Sequence, residues 1–181
     1  MRPLLVLALA TLLNGCTTAA QIGYESATDK RSFAVQASDK RIHLDIKSRL
    51  LDSPVKGTGW LDVYCRNGIV VLAGVVEAGA RTGTEAVAIA KSVEGVKRVE
   101  TYFVPTQPSK VKDFAIKQKI NAKLLADPHL LSGQIDLSVL AGQVVFIGVV
   151  SRQEKVDEIV AHARNTDGVV SVKSFIQVSG K

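Results

Sequence analysis

The sequence predicts an α+β protein built as two tandem αββαβ domains, each a small three-stranded mixed sheet with two helices packed on one face. Three observations carry that prediction. The run Val70-Val71-Leu72-Ala73-Gly74-Val75-Val76 returns as Val144-Val145-Phe146-Ile147-Gly148-Val149-Val150, seventy-four positions later. At the same offset Ile42, Ile46, Leu50, Leu51, Pro54, Gly59, Asp62 and Gly68 meet identical residues at 116, 120, 124, 125, 128, 133, 136 and 142, the mark of an internal duplication. Each copy also contains both helical and alternating apolar periods and is long enough for a small core, which points to two similar domains rather than a solenoid.

The first copy, residues 39–104, opens at Asp39, whose carboxylate is suited to cap a helix. Ile42, Ile46, Leu50 and Leu51 then recur at helical spacing until Pro54 and Gly57. Two strands follow, Leu61 to Cys65 and Ile69 to Val76. They join at Asn67-Gly68, a pair that accepts the positive φ of a tight hairpin. A helix near Thr82 to Val93 places Ala86, Ile89, Ala90 and Val93 on one face. The strand Val96 to Val104 alternates, with Val99, Thr101 and Phe103 inward and charged residues outward, as a half-covered strand should. The second copy, residues 110–178, repeats the order: a helix from about 113 to 125, strands 135–139 and 143–150, a helix near 153–165 and a strand 169–178. Residues 105–109 form a short, stiff linker, so the two domains are expected to touch.

Before the first copy the composition changes twice. Arg2 and the apolar run Leu4 to Leu13 read as an export signal over residues 1–15, too short to span a bilayer. Leu13-Asn14-Gly15-Cys16 resembles the lipobox of bacterial lipoproteins, which implies that the Cys16 sulfur is acylated; an ordinary cleaved signal is the alternative. Thr17 after that cysteine implies retention in the outer membrane, facing the periplasm. Residues 16–38 lack a clear period and read as an acylated tether, reaching roughly 20–27 Å if disordered.

Charge limits the partners. The chain is formally +6, and loss of Arg2 with the leader removes one positive charge. A basic exported protein without aromatic stacking runs or Arg-rich stripes fits anionic lipid better than nucleic acid. The first helix of the second copy concentrates this charge. Lys112, Lys119 and Lys123 fall within roughly 40° of one another beside Ile116 and Ile120, at about 100° per residue. Phe114 lies elsewhere on that helix, as core or as an exposed wedge. Lys112, Phe114, Lys119 and Lys123 are therefore the candidate lipid-binding residues, a solvated lysine face being the alternative.

Chemistry is not legible. His43, His129 and His162 are scattered and have no nucleophile or carboxylate at triad spacing, and no Cys/His cluster has metal-ligand spacing. Cys65 alternates with Leu61 and Val63 and reads as a small buried hydrophobe. Asp62 and Asp136 sit on the outer faces of their hairpins, away from a catalytic pairing. No cofactor is expected beyond the lipid on Cys16, and oligomeric state is not legible.

The helix-strand-strand-helix-strand order, the NGxVxLxGxV-type hairpin at Asn67-Gly68 and the Gly-Val before each final strand together resemble the BON domain. With the upstream lipobox they are similar to the dual-BON lipoproteins of the DolP family. Asp29-Lys30-Arg31-Ser32, Ala34, Gln36 and Asp39 partly match a segment common before the first unit in that group, with Lys30 for Arg and Ala34 for Gly. The resemblance implies a non-enzymatic envelope protein that binds phospholipid and supports outer-membrane integrity. An envelope interaction adaptor, tethered by its lipid and docking a protein partner, is the second expectation.

Overall fold

The computed structural model describes residues 31–105, 110–127 and 135–179. The expected signal peptide, Cys16, most of the tether, His129 and linker residues 106–109 lie outside them. Helix α1 spans Phe33–Asp52, β1 Asp62–Arg66, β2 Ile69–Val75, α2 Thr82–Ser92 and β3 Arg98–Val104. The second copy repeats this as α3 Lys110–Ala126, β4 Ile135–Leu140, β5 Gln143–Val150, α4 Gln153–Arg164 and β6 Ser171–Val178. No helix among the described residues is long and apolar enough to cross a membrane.

Helix α1 begins six residues before the expected start, so the end of the supposed tether, Phe33 to Ser38, is helical. Its cap is Ser32, whose hydroxyl accepts the Val35 amide at 3.3 Å. Asp39 is instead a buried mid-helix residue. The helix ends at Ser53, extended at φ −67° and ψ 135° because Pro54 excludes the helical conformation from the residue before it.

In each unit the first two strands pair antiparallel and the helix crossover returns the third strand parallel to the second, giving the orders β1-β2-β3 and β4-β5-β6. The hairpin turns use Asn67 (φ 55°) with Gly68 (φ 76°), and Ala141 (φ 52°) with Gly142 (φ 76°). Helices cover one face of each sheet. Ile42, Ile46, Leu50, Leu61 and Leu72 centre the first core, and Ile120, Phe146 and Ile159 the second. Cys65 belongs to the first core, as expected. Burial and then the neighbouring Asp39 carboxylate push its thiol up to about 12.

Helix α1 also covers the open edge of β1 with side chains one turn apart. The Asp39 carboxylate accepts the Asn67 and Gly68 amides, each at 2.8 Å, and pairs with Arg31. Lys47 Nζ donates to the Gly59 and Leu61 carbonyls at 2.9 and 2.8 Å. Between them His43 bonds to the Val63 backbone. These bonds tie α1 to the backbone on either side of β1. In the second unit Asp113 repeats the first of these contacts, accepting Ala141 N at 2.9 Å and Gly142 N at 2.8 Å.

His43 is thus half-buried. Desolvation, then the charge of Lys40, holds its imidazole below 6.5, although the Val63 bond opposes them. A group depressed on folding contributes stability that is present above about 6.5 and lost as pH falls. The urea midpoint should therefore drop more steeply between pH 7.5 and 5 in the parent protein than in His43→Gln. Parallel profiles would show that His43 is not the group responsible.

The sheet faces away from the helices meet each other. Val71 packs with Val145 and Ile147, flanked by Tyr64, Tyr102 and Phe175, while Ala73, Val104 and Leu140 form an adjoining cluster. The layers therefore run helices, sheet, sheet, helices. The expected half-covered strand is corrected here: Thr101 is exposed, whereas Tyr102 and Val104 on the supposed outer side contribute to the seam. The outer faces holding Asp62 and Asp136 are likewise seam faces. Arg66 pairs with Asp136 at 2.6 Å, and Ser138 donates to Asp62 at 3.2 Å. Tyr102 OH donates to the Gln143 side-chain carbonyl at 2.7 Å, and Gln177 Nε2 to the Arg66 carbonyl at 3.0 Å. Burial holds the Asp136 carboxyl above the ordinary carboxylate range, outweighing the Arg66 guanidinium, the largest opposing influence.

Candidate functional site

Helix α3 buries Asp113, Ile116, Ile120 and Leu124 along one line. Counting about 100° per residue around the helix, Val111, Phe114 and Leu125 fall within roughly 60° of one another on the opposite side. Their exposures are 82%, 62% and 67%. Of the two expectations for Phe114, the exposed wedge is the one the structure holds. Lys112 and Lys119, both exposed, lie between this apolar strip and the buried line.

Lys123 does not join them. Its ammonium turns inward and donates to the Thr166 hydroxyl at 2.8 Å, to the His162 carbonyl at 3.5 Å and to the Asn165 carbonyl. These groups close the C-terminus of α4, where the final carbonyls lack helical partners and a cation is favoured. Lys123 is accordingly corrected from lipid-binding candidate to helix cap. The spacing that placed it beside Lys119 is right, but α4 captures it.

Lys112 and Lys119 stand at the rim of an open groove of about 570 Å³ between α3, the Ala141-Gly142 turn and the segment Asp167–Val170. Ala115, Ile116 and Val170 supply apolar surface there. The carboxylate at its base, Asp113, is occupied by the two turn amides. Lys119 Nζ lies 3.9 Å from the Asp167 carboxylate, which is 99% exposed, so that pair is loose and screened by solvent. Among the described residues no group of three or more His, Cys, Asp or Glu could hold a metal ion. His162 Nε2 lies 3.1 Å from Asp127 Oδ2, beside the α4 terminus.

Two features were missed in the sequence. Asp39 and Asp113 share the 74-residue offset of the core isoleucines, which could have revealed their common work at the hairpins. Trp60, the chain's single tryptophan, is 88% exposed, with exposed Leu51 close by across Gly59. Its position in a short Gly-containing segment, outside any apolar stripe, was the available signal.

Comparison with known proteins finds the BON domain twice, over residues 38–104 and 112–180. Osmotically-inducible protein Y of Escherichia coli (strain K12) is 32% identical over 171 residues, covering 91% of this chain and 84% of that protein. Among solved structures, the C-terminal domain of CdsD, described as the structural protein of the type III secretion system of Chlamydia trachomatis, aligns at 14% identity and a TM-score of 0.30. That alignment covers 78% of this chain and 67% of the other. A second CdsD structure aligns at 14% identity and a TM-score of 0.27, covering 75% and 90%.

Proposed function

The chain belongs to the BON domain family, and on that premise we propose that it is an envelope lipoprotein whose second unit binds anionic phospholipid through α3. In this reading Cys16 carries the acyl anchor, the outer membrane is the address, and the role is support of membrane integrity and lipid homeostasis. The work is binding rather than catalysis. The observation that carries the proposal is the outer side of α3, where Val111, Phe114 and Leu125 face solvent beside Lys112 and Lys119. Exposed apolar side chains flanked by lysines suit the boundary between headgroups and acyl chains. Each lysine near an anionic surface contributes on the order of 1 kcal/mol.

The test uses non-acylated protein, residues 16–181 with Cys16→Ser, and vesicles of phosphatidylglycerol or phosphatidylcholine. Binding should favour the anionic vesicles and weaken as salt screens exposed charges beyond about 8–10 Å. Lys112→Glu with Lys119→Glu turns two attractions into repulsions and should weaken binding by about thirtyfold or more, from about 1 kcal/mol per attraction removed and more once repulsion is added. Phe114→Ser should cost roughly tenfold to a hundredfold, since burying a large apolar side chain yields about 1.5–3 kcal/mol. The matched control is Lys40→Glu with Arg49→Glu in the first unit, where Arg49 is already paired with Asp45 at 2.7 Å. Equal losses in the two pairs would make net charge, not this face, the cause.

The adaptor reading is favoured by a different observation, the exposed Trp60 with Leu51 in the first unit. Docking of an envelope protein there would shift the emission of this single tryptophan to the blue, whereas bilayer contact through α3 alone would leave it unchanged.

A further inference from the structure

The groove beside α3 arises from two differences between the duplicated units. In the first unit Arg41 reaches from α1 to the loop before β3, its Nη2 donating to the Glu94 carbonyl at 3.2 Å. The stem of Lys97 lies against the turn glycine, with Cγ 3.1 Å from where a Gly68 Cβ would sit. By the repeat offset, Arg41 corresponds to Ala115 and Glu94 to Asp167, with one residue lost between them, so Lys97 corresponds to Val170. Ala115 is too short to bridge the gap. Val170 puts a methyl group where the first unit has a charged chain, and touches the Gly142 turn in the same way. What is crossed by cationic side chains in one unit is an open, apolar-floored groove in the other, with Lys112 and Lys119 at its rim.

We infer that this groove takes one acyl chain of an anionic phospholipid, laid over Ala115, Ile116 and Val170, with the phosphate held at Lys112 and Lys119. The inference rests on the lipid-binding reading and adds to it: the protein holds an individual lipid chain, beyond adsorbing to a charged surface. A volume of about 570 Å³ lies within the ~300–1,000 Å³ of sites that enclose small ligands. The Asp113 carboxylate, the charged group at the floor, is already satisfied by the Ala141 and Gly142 amides, so a chain laid there leaves that charge hydrogen-bonded.

The duplication supplies the test. Ala115→Arg with Val170→Lys imports the first unit's residues at exposed positions, filling the groove while adding two positive charges. Ala115→Trp fills it without charge. The probe is lysophosphatidylglycerol below its micellar concentration, titrated by calorimetry into non-acylated protein. The parent protein should bind it, lysophosphatidylcholine more weakly, and glycerol phosphate without a chain not measurably. Both groove-filling variants should lose affinity for the lysolipid at least tenfold with unchanged melting temperature. The Arg/Lys variant should bind phosphatidylglycerol vesicles as well as the parent or better. Undiminished lysolipid binding in both variants, or equal binding of glycerol phosphate, would overturn the groove assignment. Vesicle binding by a parent protein that takes up no monomeric lipid would overturn it too while leaving the bilayer reading intact; loss of both would remove both.

Discussion

Asp113→Ala is expected to destabilise the protein by about 3 kcal/mol, and Asp39→Ala by at least as much. Each carboxylate is buried and accepts two amides of its hairpin turn at 2.8–2.9 Å. Hydrogen bonds to a charged group contribute about 1.5–3 kcal/mol each, and removing the acceptor leaves two turn amides without a partner. Asp39 also pairs with Arg31 and accepts from the Cys65 thiol at 3.4 Å, so its replacement disturbs more. In Asp113→Ala a further cost is exposed, because Ala141 holds a positive φ that a non-glycine residue adopts only with strain. For a protein of this size the loss corresponds to a melting temperature lower by about 6–12 °C. Asn at either site keeps one acceptor and should recover part of it. A loss below about 1 kcal/mol for both alanine variants would mean that helix packing alone orders the turns.

The contrast between what was legible and what was not follows the range of the interactions. Hairpins and strand order could be read because Asn67-Gly68 and the alternation in β1 are local signals. The core lines of α1 and α3 could be read because Ile42, Ile46, Leu50 and their repeats hold a helical period. The start of α1 could not, since Phe33 is exposed and adds nothing to the buried stripe; only the Ser32 cap marks it. The seam was half visible. An unbroken apolar run such as Val70-Val71-Leu72-Ala73 describes a strand covered on both faces, a reading that conflicts with two independent half-covered sheets. The sequence does not say what covers the second face. At the site, the lysine spacing on α3 was legible, whereas the capture of Lys123 by the end of α4 depends on packing between elements 39–43 residues apart. The groove was hidden for a similar reason: it consists of what Ala115 and Val170 fail to fill, and it appears only when the two units are compared.

The seam also couples the two copies. Val145 is fully buried and packs with Ile147 and Phe175 against Val71 and Tyr102 of the first unit, while Leu140 packs against Ala73 and Val104 beside them. Burying one large apolar side chain contributes about 1.5–3 kcal/mol, while a unit of this length has a total stability of only about 3–10 kcal/mol at ~0.05–0.15 kcal/mol per residue. A fragment from Lys110 onward, which the duplication alone marks as a foldable domain, is therefore expected to remain unfolded. Val145→Asp places a carboxylate in the seam and should cost about 4 kcal/mol or more, enough to unfold a marginal domain. Cys65 offers a distant reporter in the first unit: it is buried, and its thiol stays protonated at neutral pH because burial and Asp39 push it up to about 12. With Cys16→Ser as background, Cys65 is the remaining thiol, and its reaction with a disulfide reagent measures how often the first unit opens. If the sheets stabilise each other, Val145→Asp in the second unit should speed that reaction by a hundredfold or more, as a coupling of about 3 kcal/mol requires. An unchanged labelling rate, with the second unit shown to be unfolded, would mean that the first unit keeps its structure without its partner sheet and that the seam joins two self-sufficient domains.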